Sequence, residues 1–334
     1  MAQATAMDRD QLAAGVITMI ATAAGMAFGD ALVKKMSADL GLWQLFVLRS
    51  VFALPLLALL VRATIRDRRV SRSLLLWGGL RSLLLIGMWV SFYAALTMVD
   101  LATVATAYYT GPIIITLLSA WLAGETVGAR RWLAVCAGFA GVVLMLRPGE
   151  SGLDWPVAFA VLSGFFYAVA AVLTRTRLSG ASSLMLSASL NLAFFAVGLL
   201  GSVVLVLLPA PDNLVAAHPF LFGNWRGMDA GTWASVALLA VLIVAITTGV
   251  ARAYQIAPSS IIATFDYVYL PFAGLWGFVF FATVPDLITL AGMLLIGGAG
   301  IAILRTQRRS SSCLTITPAA ASAAPSATRS TPVR

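Results

Sequence analysis

The sequence predicts an all-α integral membrane protein of ten transmembrane helices, arranged as two inverted halves of five helices each. Three observations carry that expectation. The chain is too apolar for a soluble interior, its apolar residues fall into ten runs of spanning length, and its second half repeats landmarks of its first.

Of 334 residues, 60% are apolar and only 10% are charged, with a mean hydropathy of +0.95. A soluble domain carries about 25% charged residues. Folding cannot bury this much apolar surface in water, so soluble enzymes, nucleic-acid binders and disulfide scaffolds are excluded. A spanning helix takes about 20 apolar residues. The runs lack the alternation of a barrel, and in lipid the backbone must satisfy itself within each segment, so the runs are read as helices.

The first run, 12–33, is too long for a signal-peptide core and ends without a clear cleavage site, so it is taken as a span. The others are 43–61, 74–97, 101–123, 132–146, 156–174, 183–208, 232–256, 260–282 and 286–304. A longer connection, 209–231, holds His218, Trp225 and several Pro and Gly. The tail 306–334, rich in Ser, Thr, Ala and Pro, has too little apolar content to pack and is expected to be disordered.

Basic residues set the orientation. With the N-terminus (1–11) cytoplasmic, that side holds Arg9, Arg62, Arg66, Arg68, Arg69, Arg72, Arg130, Arg131, Arg175, Arg177, Arg305, Arg308, Arg309, Arg329 and Arg334. The other side holds Lys34, Lys35, Arg147 and Arg226. The bias places both termini in the cytoplasm. It also accounts for the net charge of +9 without nucleic acid.

The repeat aligns Tyr108-Tyr109-Thr110-Gly111-Pro112 with Tyr267-Val268-Tyr269-Leu270-Pro271, and Gly138 and Gly141 with Gly297 and Gly300. Each half, 12–147 and 153–305, then holds five spans. Five is odd, so the second half enters the membrane upside down. Inverted repeats place a substrate site near the midplane, between the halves.

Ionisable groups are costly in hydrocarbon, about 2.5–3.5 kcal/mol each on insertion scales. Five sit within spans: Asp30, Arg49, Arg81, Arg252 and Asp266. Asp30 and Arg49 fall at similar depth near the outer side, either as a structural ion pair, with Lys34 as a second partner, or as a gate or substrate contact. Asp266 falls at a depth compatible with Arg81 and Arg252, and which of them pairs with it is open. As one acid in an apolar span, Asp266 is also a candidate carrier of a coupling proton.

Trp89, Phe92, Tyr93, Tyr108, Tyr109, Tyr167, Tyr267 and Tyr269 gather in the same spans, with Thr110 matched to Tyr269 by the repeat. A tyrosine in mid-membrane needs a hydrogen-bond partner. A wet substrate cavity supplies one, and so does packing on a carbonyl; the matched positions favour the cavity. Pro112 and Pro271 free a carbonyl one turn earlier and allow matched hinges. Gly138, Gly141, Gly297, Gly298 and Gly300 permit close helix packing, within the chain or in a homodimer.

Nothing points to an enzyme. There is no HExxH and no GxSxG, the single His218 is in a connection, and Lys34 and Lys35 are the only lysines, so there is no phosphate-binding loop. Cys136 and Cys313 match no disulfide framework or metal spacing. No cofactor is expected. Isolated charges argue against the continuous polar pathway of a channel.

At this point the chain resembles a known family. The stretch LATVATAYYTGPIIITLLSAWLAGETVGARRWLAVCAGFAGVVLMLRPG, residues 101–149, is similar to part of the EamA-type repeat of the drug/metabolite transporter superfamily. Pro112, Gly124-Glu125, Arg130-Arg131 and the glycine-rich fifth span carry the likeness. The second half matches through Pro271, Gly297 and Gly300, but Val284 stands where an acid is usual, so Glu125 is expected to be structural. GDALVKKM, VLRS and FDYVYLPFAGLWGFVFFATVPD resemble the branch that includes riboflavin and S-adenosylmethionine carriers. The resemblance covers about residues 11–305. It implies secondary transport of a small metabolite by alternating access, with uptake of a vitamin- or nucleoside-like solute favoured. Amino-acid and drug exporters share the fold. It also implies a cavity formed mainly by spans one, three, four, six, eight and nine.

Overall fold

The computed structural model describes residues 9–36, 40–65, 71–96, 101–122, 124–125, 127–146, 155–282 and 286–314. All regular elements among them are helical: α1 (Arg9–Met36), α2 (Leu42–Thr64), α3 (Gly79–Leu96, entered through a π-helical turn, Leu74–Gly78), α4 (Leu101–Tyr108), α5 (Gly111–Leu122), α6 (Ala129–Leu146) and α7 (Trp155–Arg177). There follow α8 (Ser183–Leu207), the short α9 (Asp212–Ala217) and α10 (Pro219–Phe222), α11 (Ala230–Ile256), α12 (Ser259–Asp266), α13 (Tyr269–Phe281) and α14 (Leu287–Leu314).

Every expected apolar run coincides with a helix or a pair of helices. Among the described residues, seven segments are long and apolar enough to cross a membrane: Asp10–Met36, Leu42–Thr64, Leu74–Ala95, Val157–Arg177, Ser183–Leu207, Ala230–Ile256 and Ser259–Phe281. Their outward faces carry bare apolar side chains such as Leu59, Leu83, Leu200 and Val206, and the shorter apolar helices add Trp121 and Leu294. Water would penalise such a surface and lipid does not. The chain is an all-helical, multi-pass membrane protein.

The structure departs from the expected elements in three places. The fourth and ninth runs are not continuous helices; each breaks, α4 from α5 at Tyr109-Thr110 and α12 from α13 at Tyr267-Val268. Pro112 and Pro271 have no N–H to close the turn before them, so each break lies about one turn upstream of its proline. At the first, α7 crosses so closely that a Cβ on Gly164 would lie 2.7 Å from the Tyr108 carbonyl oxygen. The 209–231 connection contains α9 and α10 and is pinned to α2. The Trp43 indole donates to Leu221 O (2.8 Å), and Gln44 exchanges two bonds with the Arg226 backbone (2.8 and 3.0 Å). Finally, α14 runs to Leu314, into the stretch expected to be disordered. No Gly or Pro stands between Gly300 and Pro318 to stop it. Residues 1–8 and 315–334 and Val284 lie outside the described residues.

Packing follows a reciprocal pattern. α6 lies on α14 and α2 on α8; α1 packs on α11, α12 and α13, while α7 packs on α3, α4 and α5; α11 also touches α2, as α3 touches α8. Of the glycines noted above, Gly141 faces α14, where a Cβ would meet Gly292 O at 2.8 Å, and Gly138 lies against the Tyr267 ring. Gly297 and Gly298 face open space.

Candidate substrate chamber

α1 and α7, each embraced by helices from the other parts of the bundle, bring the buried polar residues to the centre. All seven tyrosines of the chain gather there. Tyr108 touches Tyr109 (5.1 Å between ring centres), Phe92 (5.4 Å) and Tyr167 (6.1 Å), and Tyr167 continues to Tyr254 (6.3 Å). Tyr109 meets Tyr269 and Tyr267 (6.0 and 6.1 Å). Tyr93 stacks on Trp89 at 5.5 Å.

Two cavities adjoin this cluster. A central chamber of about 80 Å³ is bounded by Asp30, Arg49, Arg81, Trp89, Tyr108, Tyr167 and Thr247, and otherwise by aliphatic residues from α1, α3, α8 and α11. A vestibule of about 650 Å³ lies toward the end that carries α9 and α10, between α1, α3, α13 and that connection. Trp89, Phe92, Tyr93, His218, Phe220, Tyr269 and Lys34 line it. Asp30, Val33 and Trp89 belong to both, so the two spaces meet there.

The acids are held by tyrosine hydroxyls. Tyr269 donates to Asp30 at 2.7 Å. Tyr254 and Tyr167 donate to the two oxygens of Asp266 at 2.6 and 3.0 Å. The arginine partner expected for Asp266 is therefore absent from its described contacts. Arg252 is exposed on α11, turned away from the acid, and Arg81 donates to the Thr174 hydroxyl at 2.8 Å. Arg49 makes no ion pair with Asp30; its guanidinium lies over the Phe194 and Phe46 rings (4.7 and 5.7 Å). Two further expectations change place. Tyr267, fully buried against Gly138, and Tyr109, wedged among tyrosines, line neither of these chambers. Pro112 and Pro271 sit in the first turns of α5 and α13, at the breaks.

The end opposite the vestibule is closed by polar bonds. Glu125 accepts from Ser259 N (2.8 Å), Ser260 N (3.3 Å) and the Ser260 hydroxyl (2.7 Å), at the start of α12. Arg131 donates to the Ser260 hydroxyl (3.0 Å). Gln255 donates to Leu178 O and Ala181 O (2.6 and 2.9 Å), and Arg175 to Gln255 O (2.6 Å). Reading the sequence missed Tyr254, Gln255 and Thr174. The available signal was weak: a Tyr and a Gln in an otherwise aliphatic run, just before the Pro258 turn.

Comparison with known proteins agrees with this picture. Residues 13–147 match the EamA-like transporter family. The chain is 28% identical to a riboflavin transporter of Rhizobium johnstonii, over 82% of each chain. It is 27% identical to the pseudopaline exporter CntI of Pseudomonas aeruginosa, over 90% of this chain and 99% of the relative. It is 22% identical to an S-adenosylmethionine uptake transporter of Rickettsia prowazekii, over 70% and 73%. A solved crystal structure shares the fold with a TM-score of 0.68 at 18% identity, over 85% of this chain and 96% of that one. The matched stretch and the transporters similar to most of the chain indicate a transporter rather than an enzyme, with residues 13–147 similar to the EamA-like family of the drug/metabolite transporter superfamily.

Proposed function

We propose that the chain is a secondary active transporter of a small metabolite in the bacterial inner membrane, working by alternating access between two inverted five-helix halves, 12–147 and 153–305. The observation that carries the reading is a chamber joined to a vestibule at one end and sealed by polar bonds at the other. Reciprocal packing supports the inverted halves. Exchanging them maps α1 on α11 to α7 on α3, and α1 on α12 and α13 to α7 on α4 and α5, while α2 on α8 and α6 on α14 map to themselves. The matched breaks before Pro112 and Pro271 are the hinges. With both termini cytoplasmic, the vestibule is external and the Glu125–Ser260 bonds form the inner gate.

Relatives named for riboflavin transport and S-adenosylmethionine uptake favour uptake of a vitamin- or nucleoside-like solute. The match to nearly the full length of an exporter favours export as the second reading. Asp266, an acid held only by hydroxyls among its described contacts, is the site for proton coupling. The test is counterflow in proteoliposomes with labelled flavins, S-adenosylmethionine, nucleosides and amino acids, with and without a pH gradient. Saturable counterflow is expected. Its absence for every solute, or gating-independent leak, refutes the carrier. Unchanged pH-driven transport in Asp266→Asn refutes the proton role.

A further inference from the structure

The chamber wall holds two buried cations, each with donors that have no partner among the described residues. Arg49 is 6% exposed and Arg81 3%. The Nε and Nη2 of Arg49 and the Nη1 of Arg81 have no hydrogen-bond partner among the described residues. Both side chains line the same small space. A guanidinium stripped of water and left unpaired is among the costliest arrangements in a protein interior, and more so in a membrane. Its planar fork of donors matches the two oxygens of a carboxylate or similar anion.

The local charge does not balance. Against the two arginines the chamber wall presents one acid, Asp30, which already accepts from Tyr269 and lies beyond ion-pairing distance of both. Lys34 lines the vestibule instead of the chamber, and Asp266 is screened behind Tyr167. Packing fixes the two arginines: the Phe194 and Phe46 rings hold the Arg49 plane, and Thr174 holds Arg81 by its Nε, while its Nη1 has no partner among the described residues. The remaining wall is aliphatic, with Trp89 at the vestibule side.

Building on the transporter reading, we infer that Arg49 and Arg81 together form an anion subsite, and that the transported solute carries a carboxylate or an equivalent monoanionic group on an apolar, planar body. The anion takes the open guanidinium donors and neutralises the excess charge. The small chamber takes the anionic group, and the body passes Trp89 into the larger, aromatic-lined vestibule.

The test uses the full chain in lipid nanodiscs and thermal denaturation. The probes are three skeletons, acetate, benzoate and indole-3-acetate, each compared with its carboxamide and with the amine of the same skeleton. The carboxylates are expected to raise Tm, the larger two most, with at least tenfold weaker response to carboxamides and none to amines. In Arg49→Met and Arg81→Met the carboxylate response should be lost, while Tm without probe stays level or rises, because an unpaired buried charge has been removed. Asp30→Asn should keep the response. Equal stabilisation by carboxamides or amines, a carboxylate response that survives both arginine variants, or no response to any carboxylate overturns the inference. The wild-type comparison stands even where a variant does not fold. Failure of the transporter reading is separate: counterflow is then absent for every solute. Failure of the anion subsite leaves counterflow intact with neutral or cationic solutes.

Discussion

Glu125 offers the sharpest test of the proposed cycle. The short helix α12 begins at Pro258 without a side-chain cap of its own, and Glu125 reaches across from the connection between α5 and α6 to serve as one. Two of its three bonds are short, to Ser259 N and the Ser260 hydroxyl (2.8 and 2.7 Å); the third is long at 3.3 Å. A hydrogen bond to a charged group contributes about 1.5–3 kcal/mol, and a carboxylate at a helix N-terminus adds about 0.3–1 kcal/mol. Glu125 is only half-buried, so the low end applies, about 3 kcal/mol in total. In an inward-open state water would replace these bonds, so Glu125→Ala shifts the equilibrium by about that amount, roughly a hundredfold in the ratio of states. Glu125→Gln keeps one acceptor and is expected to shift it about tenfold. Leu178, 1% exposed beside the Gln255 bonds, is a suitable reporter. With Cys136 and Cys313 replaced by Ala, labelling of Leu178→Cys by a membrane-impermeant maleimide from the inner face measures opening. A rate unchanged by Glu125→Ala, or a rise matched by general unfolding in a protease assay, refutes the gate.

Tyr254→Phe removes the 2.6 Å bond to Asp266 and should lower stability by about 2 kcal/mol, more than Tyr167→Phe at the 3.0 Å bond, as read from thermal denaturation in nanodiscs. Gly141→Ala forces a Cβ onto the Gly292 backbone oxygen and should cost about 1–3 kcal/mol, while Gly297→Ala, with nothing within 4 Å, should be neutral in the same assay. The Thr232 side chain and N–H hold exposed Asp229 at the N-cap of α11 below the ordinary carboxylate range. Its contribution is thus present above the unfolded value near pH 4 and lost as pH falls through the depressed one. Asp229→Asn should therefore flatten the acid limb of a pH–stability curve there and leave neutral pH little changed.

The sequence made the helices legible because membrane spans have a length set by the bilayer and few charges to blur their ends. It also brought Pro112 and Pro271 into register. The unwound residues themselves were not legible, since Tyr109-Thr110 opens where Gly164 of another helix approaches, a long-range contact. Asp266 stood out as a buried acid, yet its partners did not: depth alone favoured an arginine, and helix rotation, which carries Arg252 outward and Tyr254 inward, is set by packing. Glu125 was expected to be structural from the likeness around it. What it caps became visible only once α12 lay beside it.

The polar bonds between the proposed halves are unevenly distributed, and that bears on how the cycle can run. On the vestibule side Asp30–Tyr269 is a bond of this kind, next to open space. On the sealed side Glu125 and Arg131 converge on Ser259 and Ser260. All of these lie where water can replace them, so each is worth about a kilocalorie or two net, far less than its strength in a dry core. The aliphatic packing among α2, α3, α7 and α8, by contrast, has no polar alternative and should persist in both states. In the proposed cycle two packed groups drawn from both halves, α1 with α11–α13 and α7 with α3–α5, rock about the breaks at Tyr109 and Tyr267, and the states differ by a few exchangeable bonds. A gap of that size is one a bound solute can close. An anion seated between Arg49 and Arg81 sits beside Asp30, the group that ties α1 to α13, so its charge acts directly on the bond that must tighten or part as the vestibule closes.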